Sequence, residues 1–283
     1  MVDTLLGDTV ISPGLAYERG SNPGIKEWEL GFLPVGSTDR LYGGSNQVLS
    51  VKLTGDGRGV FKPGRGERYL YEFAEPEFRD AEGNLYKRER AAYLVSKALG
   101  LNLVPVTSIR DINGEAGSIQ DYIEDAKSIW DITGDIEGQY YLMSIFDYLI
   151  WNKDRKASNM LFTDEVDPDR SGVSNPRLHL IDNGLAFDPW DNDWGPYMIY
   201  RNLADNVFGK EIPEEIKRKF VVFSSDPSRS AQLGTELREL LPQSAVNAFM
   251  ARLRYLTLLF GSRGSIEEEN LGSLGHNLRY NPT

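Results

Sequence analysis

Two polar segments of the sequence carry the residue types that phosphate chemistry needs. Asp154 is followed five positions later by Asn159, and Asp182 opens an Asp-Asn-Gly sequence further along the chain. An aspartate can orient an acceptor hydroxyl, while an amide oxygen and a second carboxylate are hard ligands of the kind that Mg²⁺ prefers. An Asp and an Asn at this spacing also occur by chance in ordinary polar turns, so the surrounding elements must decide between the two interpretations.

The elements around these residues favour catalysis. Apolar residues recur at helical spacing from Gln139 to Trp151, which predicts a core helix. A polar loop follows, then a short strand that begins at Asn159, a turn-rich insertion, and a strand over 177–181 that ends directly before Asp182. We therefore predict that Asp154 is catalytic and that Asn159 and Asp182 bind a metal ion.

The N-terminal half has the pattern of a sheet with one helix. Gln47–Leu53 and Gly59–Lys62 are predicted to form a hairpin, and a helix is predicted from Leu85 to Leu99. Lys62 at the end of its strand is suited to hold nucleotide phosphates, and Glu89 on the helix is its candidate ion-pair partner. Glu89 lies away from the centre of the apolar stripe, so the sequence also allows it to face solvent.

The other elements complete a two-part organisation. The first ~40 residues are rich in turn residues, with one short strand predicted over Trp28–Leu33. Strands are also predicted over 103–110 and 118–123, and the chain from Pro213 onward is predicted to be largely helical. A strand-rich half therefore precedes a helical half. The predicted divisions are an N-terminal nucleotide-binding lobe over 1–119, a hinge over 120–125 and a C-terminal catalytic lobe over 126–283.

Composition excludes several classes of function. The chain of 283 residues contains no cysteine and two histidines, which excludes disulfides, thiolate nucleophiles and cysteine-ligated zinc. Its net charge of −11 opposes broad attraction to nucleic acid or to an anionic membrane, although a local basic run at 217–219 is present. The apolar runs are too short to cross a bilayer and no secretion signal is evident at the start, so a cytoplasmic protein is expected.

Several segments together resemble a known family. The sequence is similar to the phosphatidylinositol 3- and 4-kinase superfamily, most of all to type II phosphatidylinositol 4-kinases and their bacterial relatives, and more distantly to HipA-like kinases. The likeness runs through most of the chain, and its last two segments are highly specific. The matching segments are Val60–Pro63, Glu89–Val95, Val104–Thr107, Gly117–Gln120, Asp147–Arg155 and Ile181–Phe187.

This resemblance implies an α+β, two-lobed protein-kinase-like fold that uses ATP and Mg²⁺, with Mn²⁺ as a possible substitute. Gly43-Gly44-Ser45-Asn46, before the hairpin, is a candidate for placing backbone amides over the phosphates, although such turns are common. By the resemblance, Lys62 binds phosphate, Glu89 orients it, Gln120, Asp121 and Tyr122 form the adenine-contacting hinge, Asp154 is catalytic, and Asn159 with Asp182 bind metal.

Three departures from the family concern the phosphate acceptor. Lys156 replaces the histidine or glycine common after Asp-Arg, no cysteine is available for lipidation, and the acidic segment 188–194 would repel an inositol phosphate. A protein serine or threonine is therefore the predicted acceptor. The alternatives are a phosphatidylinositol lipid, a small metabolite, nucleotidyl transfer, or a nucleotide-binding pseudokinase that acts as a scaffold.

Overall fold

The computed structural model describes residues 23–41, 46–67, 85–134, 136–166, 174–187 and 196–271. A five-stranded antiparallel sheet forms the N-terminal part, with strand order β1-β2-β3-β5-β4. Side chains alternate between the two sides of a strand, so the buried residues Val51, Phe61 and Ile119 lie together on one face. The strands are β1 (Val35–Leu41), β2 (Val48–Leu53), β3 (Arg58–Pro63), β4 (Thr107–Ile112) and β5 (Glu115–Asp121).

The strand predicted over Trp28–Leu33 is wrong, because this segment belongs to helix α1 (Pro23–Phe32). Trp28, Leu30 and Phe32 alternate with other residues, which resembles a strand pattern. In the helix only Leu30 is buried, while Trp28 and Phe32 are largely exposed. Pro23 occupies the first position of the helix, where its fixed φ angle is favourable. The alternation of apolar residues therefore does not mark the buried face of a strand here.

Helix α2 (Leu85–Ala98) packs against the sheet and begins close to the end of β3. The carboxylate of Glu67, which follows β3, accepts hydrogen bonds from the backbone N–H groups of Leu85 at 3.0 Å and Tyr86 at 2.9 Å. Unpaired amides at a helix N-terminus favour such an acidic partner. These bonds tie the start of α2 to the end of the strand that carries Lys62.

The C-terminal part is mainly helical, as predicted. Its central helix α3 contributes the buried residues Ile145, Phe146 and Leu149 to the large core of the molecule. The strands β6 and β7 form a separate antiparallel hairpin. The elements are α3 (Glu137–Ile150), β6 (Met160–Val166), β7 (Ser174–Leu180), α4 (Pro196–Asn206), α5 (Glu214–Ser224), α6 (Pro227–Arg238) and α7 (Gln243–Ser262).

A strand-rich N-terminal lobe followed by a mainly helical C-terminal lobe confirms the predicted fold class. Helix α4 was not predicted from the sequence. The boundaries proposed for the two lobes and the hinge stay predictions. In the described ranges, no helix combines the length and the apolar character needed to span a bilayer.

Candidate active site

Lys62 joins three elements through its ammonium group. It lies on β3 opposite Ser118 of β5, and its Nζ donates to Oε1 of Glu89 on α2 and, at 2.8 Å, to Oδ1 of Asp182 beyond β7. The ion pair with Glu89 that the sequence suggested is thus present. Glu89 is 2% exposed, so its position beside the apolar stripe places it in the protein interior and not in solvent.

The charges of this cluster stabilise one another. Burial by itself lowers the pKa of Lys62, but the carboxylates of Glu89 and Asp182 outweigh this effect and raise its pKa above the usual value of 10.5. The ammonium of Lys62 is the main cause of the lowered pKa of Asp182, against a smaller opposing effect of burial. Lys62 is therefore a cation and Asp182 an anion at neutral pH.

Asp182 is presented at the end of β7 by an unusual backbone conformation. Its φ angle is 56°, in the left-handed region that aspartate tolerates better than most residues. Two residues later, a Cβ atom added at Gly184 would lie 3.1 Å from Cβ of Leu85 at the start of α2. The small residue lets this segment approach α2, where the backbone N–H of Asn183 donates to Oε2 of Glu89 at 2.9 Å.

Asp154 lies in the loop after α3, and hydrogen bonds define the shape of this loop. Its backbone N–H donates to Oδ1 of Asn152 at 3.1 Å, and its carbonyl accepts from Nδ2 of Asn159 at 2.8 Å. Nζ of Lys156 donates to Oδ2 of the Asp154 carboxylate at 2.8 Å. The carboxylate is about one-third exposed, so an acceptor hydroxyl can reach it.

Asn159 and Asp182 have the donor chemistry of a divalent-cation site. The Nδ2 of Asn159 donates to the Asp154 carbonyl, which leaves Oδ1 as its ligand atom. Within the described residues, this Oδ1 has one long contact, at 3.4 Å from Oγ of Ser158. Asp182 uses one carboxylate oxygen for Lys62 and is half exposed. Mg²⁺ and Mn²⁺ favour such oxygen donors and take further ligands from phosphates and water. These two residues fit a nucleotide-bound metal ion.

The three residues of the predicted hinge are held by partners outside the Lys62 cluster. Gln120 is buried and donates to Oγ1 of Thr107 at 2.9 Å, while Asp121 forms an ion pair with Lys26 at 3.0 Å. The Tyr122 ring lies 3.8 Å from the guanidinium carbon of Arg58. A contact of these residues with adenine stays a prediction, and their side chains already have protein partners.

The remaining predicted residues precede β2. Asn46 is half-buried in a bend before this strand and is separated from it by Gln47. Ser45 and the two glycines before it lie outside the described residues, as does the acidic segment 188–194. Their proposed contacts with phosphates and with the acceptor stay predictions.

Sequence reasoning assigned no role to Arg155 or Asp147, which form the most buried ion pair of the described residues. Nε of Arg155 lies 3.0 Å from Oδ2 of Asp147, and both side chains are essentially inaccessible to solvent. Nη2 of Arg155 also donates to Oδ1 of Asn183 at 2.6 Å. One signal was available in the sequence, because Asp147 is a charged residue inside the apolar helix pattern of α3.

The comparisons with known proteins support the fold. The chain aligns with the crystal structure of the Golgi casein kinase with Mn/ADP bound at a TM-score of 0.59 and 16% identity, covering 90% of this chain and 78% of the other. It aligns with the structure of hydra Fam20 with sugar at a TM-score of 0.59 and 14% identity, covering 89% of each chain. At these identities, the likeness establishes a protein-kinase-like fold and not a function.

The sequence comparisons match a smaller part of the chain than the structural ones. No family model matches the chain. Protein Rv2133c of Mycobacterium tuberculosis (strain ATCC 25618 / H37Rv) is 45% identical over 65 residues, which cover 23% of this chain and 21% of that protein. The matched stretch therefore spans about one-fifth of the curated relative.

Proposed function

We propose that the protein is an ATP-dependent kinase that transfers the γ-phosphate of ATP to a hydroxyl group. The observation that carries this proposal is the double ion pair of Lys62, which joins β3 to Glu89 on α2 and to Asp182 at the strand end. A strand-borne lysine with a helix-borne glutamate, opposite a metal-binding carboxylate, is the arrangement that positions ATP phosphates in kinases.

In this proposal, the residues of the cluster share the binding of the phosphates. Lys62 holds phosphate oxygens and keeps its place through Glu89. Asp182 and Oδ1 of Asn159 would hold Mg²⁺, which neutralises the phosphate charge when it is bound. A site of this kind accelerates transfer through orientation and charge compensation.

Asp154 is the proposed catalytic base. The acceptor hydroxyl oxygen forms a bond to the γ-phosphorus while the bond from that phosphorus to the β,γ-bridging oxygen breaks. ADP leaves with the bond electrons, and the hydroxyl proton passes to the Asp154 carboxylate. Lys156 occupies one oxygen of this carboxylate, and within the described residues the other oxygen has no hydrogen-bond partner.

We propose a protein serine or threonine as the acceptor. The net charge of −11 and the absence of cysteine disfavour stable attachment to an anionic membrane. The Golgi casein kinase, which shares the fold, is by its name a kinase of a protein. The motif resemblance to phosphatidylinositol kinases favours the alternative acceptor, an inositol lipid, and the experiment below separates the two.

The test is transfer of label from ATP. The protein is incubated with Mg²⁺ or Mn²⁺ and with γ- or α-labelled ATP, and it is offered basic serine- and threonine-containing peptides, casein, or phosphatidylinositol vesicles at physiological salt. An Asp154→Asn variant is the matched control. Transfer of γ-label to peptide or casein is expected. Label in the lipid would replace the proposed acceptor, and α-label in any acceptor would indicate nucleotidyl transfer. Metal-dependent nucleotide binding without transfer would indicate a pseudokinase.

A further inference from the structure

Arg155 is the side chain that connects both candidate metal ligands. Its Nη1 donates to the carbonyl oxygen of Asn159 at 3.0 Å and to that of Ile181, the residue before Asp182, at 2.9 Å. These two carbonyls come from different segments of the chain, the end of the Asp154 loop and the end of β7. The backbone N–H of Ile181 also donates to the Asn159 carbonyl at 3.1 Å, next to the Met160–Leu180 pair of the β6–β7 hairpin. Nη1 of Arg155 thus adds a side-chain bridge to two segments that the backbone already pairs.

The other donors of Arg155 hold the guanidinium itself in place. Nε and Nη2 form a two-pronged pair with Asp147 of α3, with distances of 3.0 Å for Nε to Oδ2 and for Nη2 to Oδ1. Nη2 also donates to Oδ1 of Asn183. A guanidinium has five N–H donors, and this one has an acceptor for each of them. Its position is thus set from the core helix and not by solvent.

The Arg155 guanidinium is also linked to the N-terminal lobe, through Asn183. The side-chain Oδ1 of Asn183 accepts a hydrogen bond from Nη2 of Arg155. The backbone N–H of Asn183 donates to Glu89, the partner of Lys62. The chain of contacts runs from α3 through Arg155 and Asn183 to α2. Arg155 therefore contacts the residues on both sides of Asp182, Ile181 and Asn183.

We propose that Arg155 is a positioning residue that, together with the β6–β7 pairing, holds Asn159 and Asp182 in the orientation that binds the divalent cation of the nucleotide complex, and so raises the affinity of the site for this cation. This inference rests on the proposed function. Lysine keeps the charge but has its three donors on one atom, so it cannot span Asp147 and the two carbonyls at once. Replacement of outer partners of metal ligands typically lowers metal affinity about 10–100-fold.

The experiment compares Arg155→Lys with Arg252→Lys in the full chain. Arg252 is a second buried arginine of the same lobe, and it donates to the carbonyl of Leu149 and lies over the Trp151 ring. ADP binding is titrated with Mn²⁺ by calorimetry, and thermal unfolding is followed in parallel. We expect Arg155→Lys to raise the Mn²⁺ concentration for half-maximal ADP binding about tenfold or more. The Arg252→Lys variant should stay within about twofold of wild type even if it melts as early.

The outcomes separate this inference from the proposed function. An unchanged Mn²⁺ requirement in folded Arg155→Lys would overturn the positioning role, even if the wild type transfers phosphate. The expected shift in a protein that transfers no phosphate would support the positioning role and overturn the kinase proposal. If Arg155→Lys does not fold, Asn183→Ala removes one acceptor of Arg155, and a Mn²⁺ requirement equal to that of wild type would overturn the inference in the same way.

Discussion

Arg155 and Lys156 are neighbours in sequence and each pairs with an aspartate, yet the two ion pairs lie in different environments. The side chains of Arg155 and Asp147 are 1% and 0% exposed, while those of Lys156 and Asp154 are 54% and 34% exposed. Removing one partner of a buried pair leaves an uncompensated charge in the interior, whereas an exposed pair contributes little to stability. The loop after α3 is thus anchored to that helix by a buried pair, Arg155 with Asp147, and carries beside it a pair that is open to solvent.

The largest effect is expected at the exposed pair and on turnover alone. Asp154→Ala should lower kcat by about 10³-fold or more, because it removes the proposed base, and leave ATP affinity within a few-fold. Its thermal unfolding should match that of Asp205→Ala, a change at another exposed aspartate. Steady-state kinetics and ATP titration check this. Turnover at the wild-type rate would show that the exposed pair has no part in the chemistry.

For the buried pair of Asp147 and Arg155, we expect the main effect on stability and not on turnover. Asp147→Asn leaves Arg155 charged without its counter-ion and should lower the free energy of unfolding by about 3–5 kcal/mol. The matched control is Asp205→Asn, which breaks an exposed pair with Arg201 and should change this free energy by less than about 0.5 kcal/mol. Urea unfolding of both variants measures the difference. Equal losses would remove the distinction between the two environments.

His179, in β7, tests whether a buried charge lowers stability there as it is expected to do at Arg155. Burial is the main reason that the pKa of His179 falls from 6.5 to about 4, and Arg177 adds to it. Between pH 6.5 and 4 the unfolded chain therefore binds more protons than the folded one. Stability contributed by His179 is complete above pH 6.5 and is lost as the pH falls through this window, by up to roughly 3 kcal/mol.

The measurement for His179 is the free energy of unfolding at several pH values, for wild type and for His179→Gln. Glutamine retains a group that can hydrogen-bond to Thr163 Oγ1, which lies 2.9 Å from the His179 Nε2 atom. The variant should lack the part of the pH dependence that His179 causes. Parallel curves for the two proteins between pH 4 and 6.5 would contradict the assignment.

Asp182 is an intermediate case, because its partner Lys62 is mostly buried while Asp182 is half exposed. Asp182→Ala should weaken Mg²⁺-dependent ADP binding by about 10–100-fold, since a proposed metal ligand is lost. Lys62 keeps Glu89 as its partner, so unfolding should change far less than in Asp147→Asn. Calorimetry with and without Mg²⁺ checks this, and normal binding of Mg²⁺ and ADP would exclude Asp182 as a ligand.

The smallest effect is expected for the cation of the exposed pair. Lys156→Ala should change the free energy of unfolding by less than about 1 kcal/mol, because more than half of the lysine side chain is in solvent. Urea unfolding at low and high salt measures it. A loss of several kcal/mol would mean that this pair, too, maintains the shape of the loop.

The sequence predicted the long periodic elements and the Lys62–Glu89 ion pair well. Helices α2 and α3 lie close to their predicted positions, because each has a strong apolar repeat. Helix α1 was mistaken for a strand since alternation in a short segment does not distinguish exposure from burial. Glu67 was missed because its partners in α2 are distant in sequence, and local propensity holds no information about such contacts. For Arg155, the contacts with Ile181 and Asn183 are equally distant, whereas Asp147 is near in sequence and was the signal that could have been used.

The Glu67 carboxylate has a consequence for chain connectivity. It joins the chain after β3 to the first turn of α2 directly, so the start of this helix is held near β3 by more than the covalent connection and the Lys62–Glu89 ion pair. The entropy of closing a loop grows slowly with its length, at about 0.6 kcal/mol for each doubling. We therefore expect a change in the length of the chain between residues 67 and 85 to leave Glu89 in place, provided that the carboxylate at position 67 is kept.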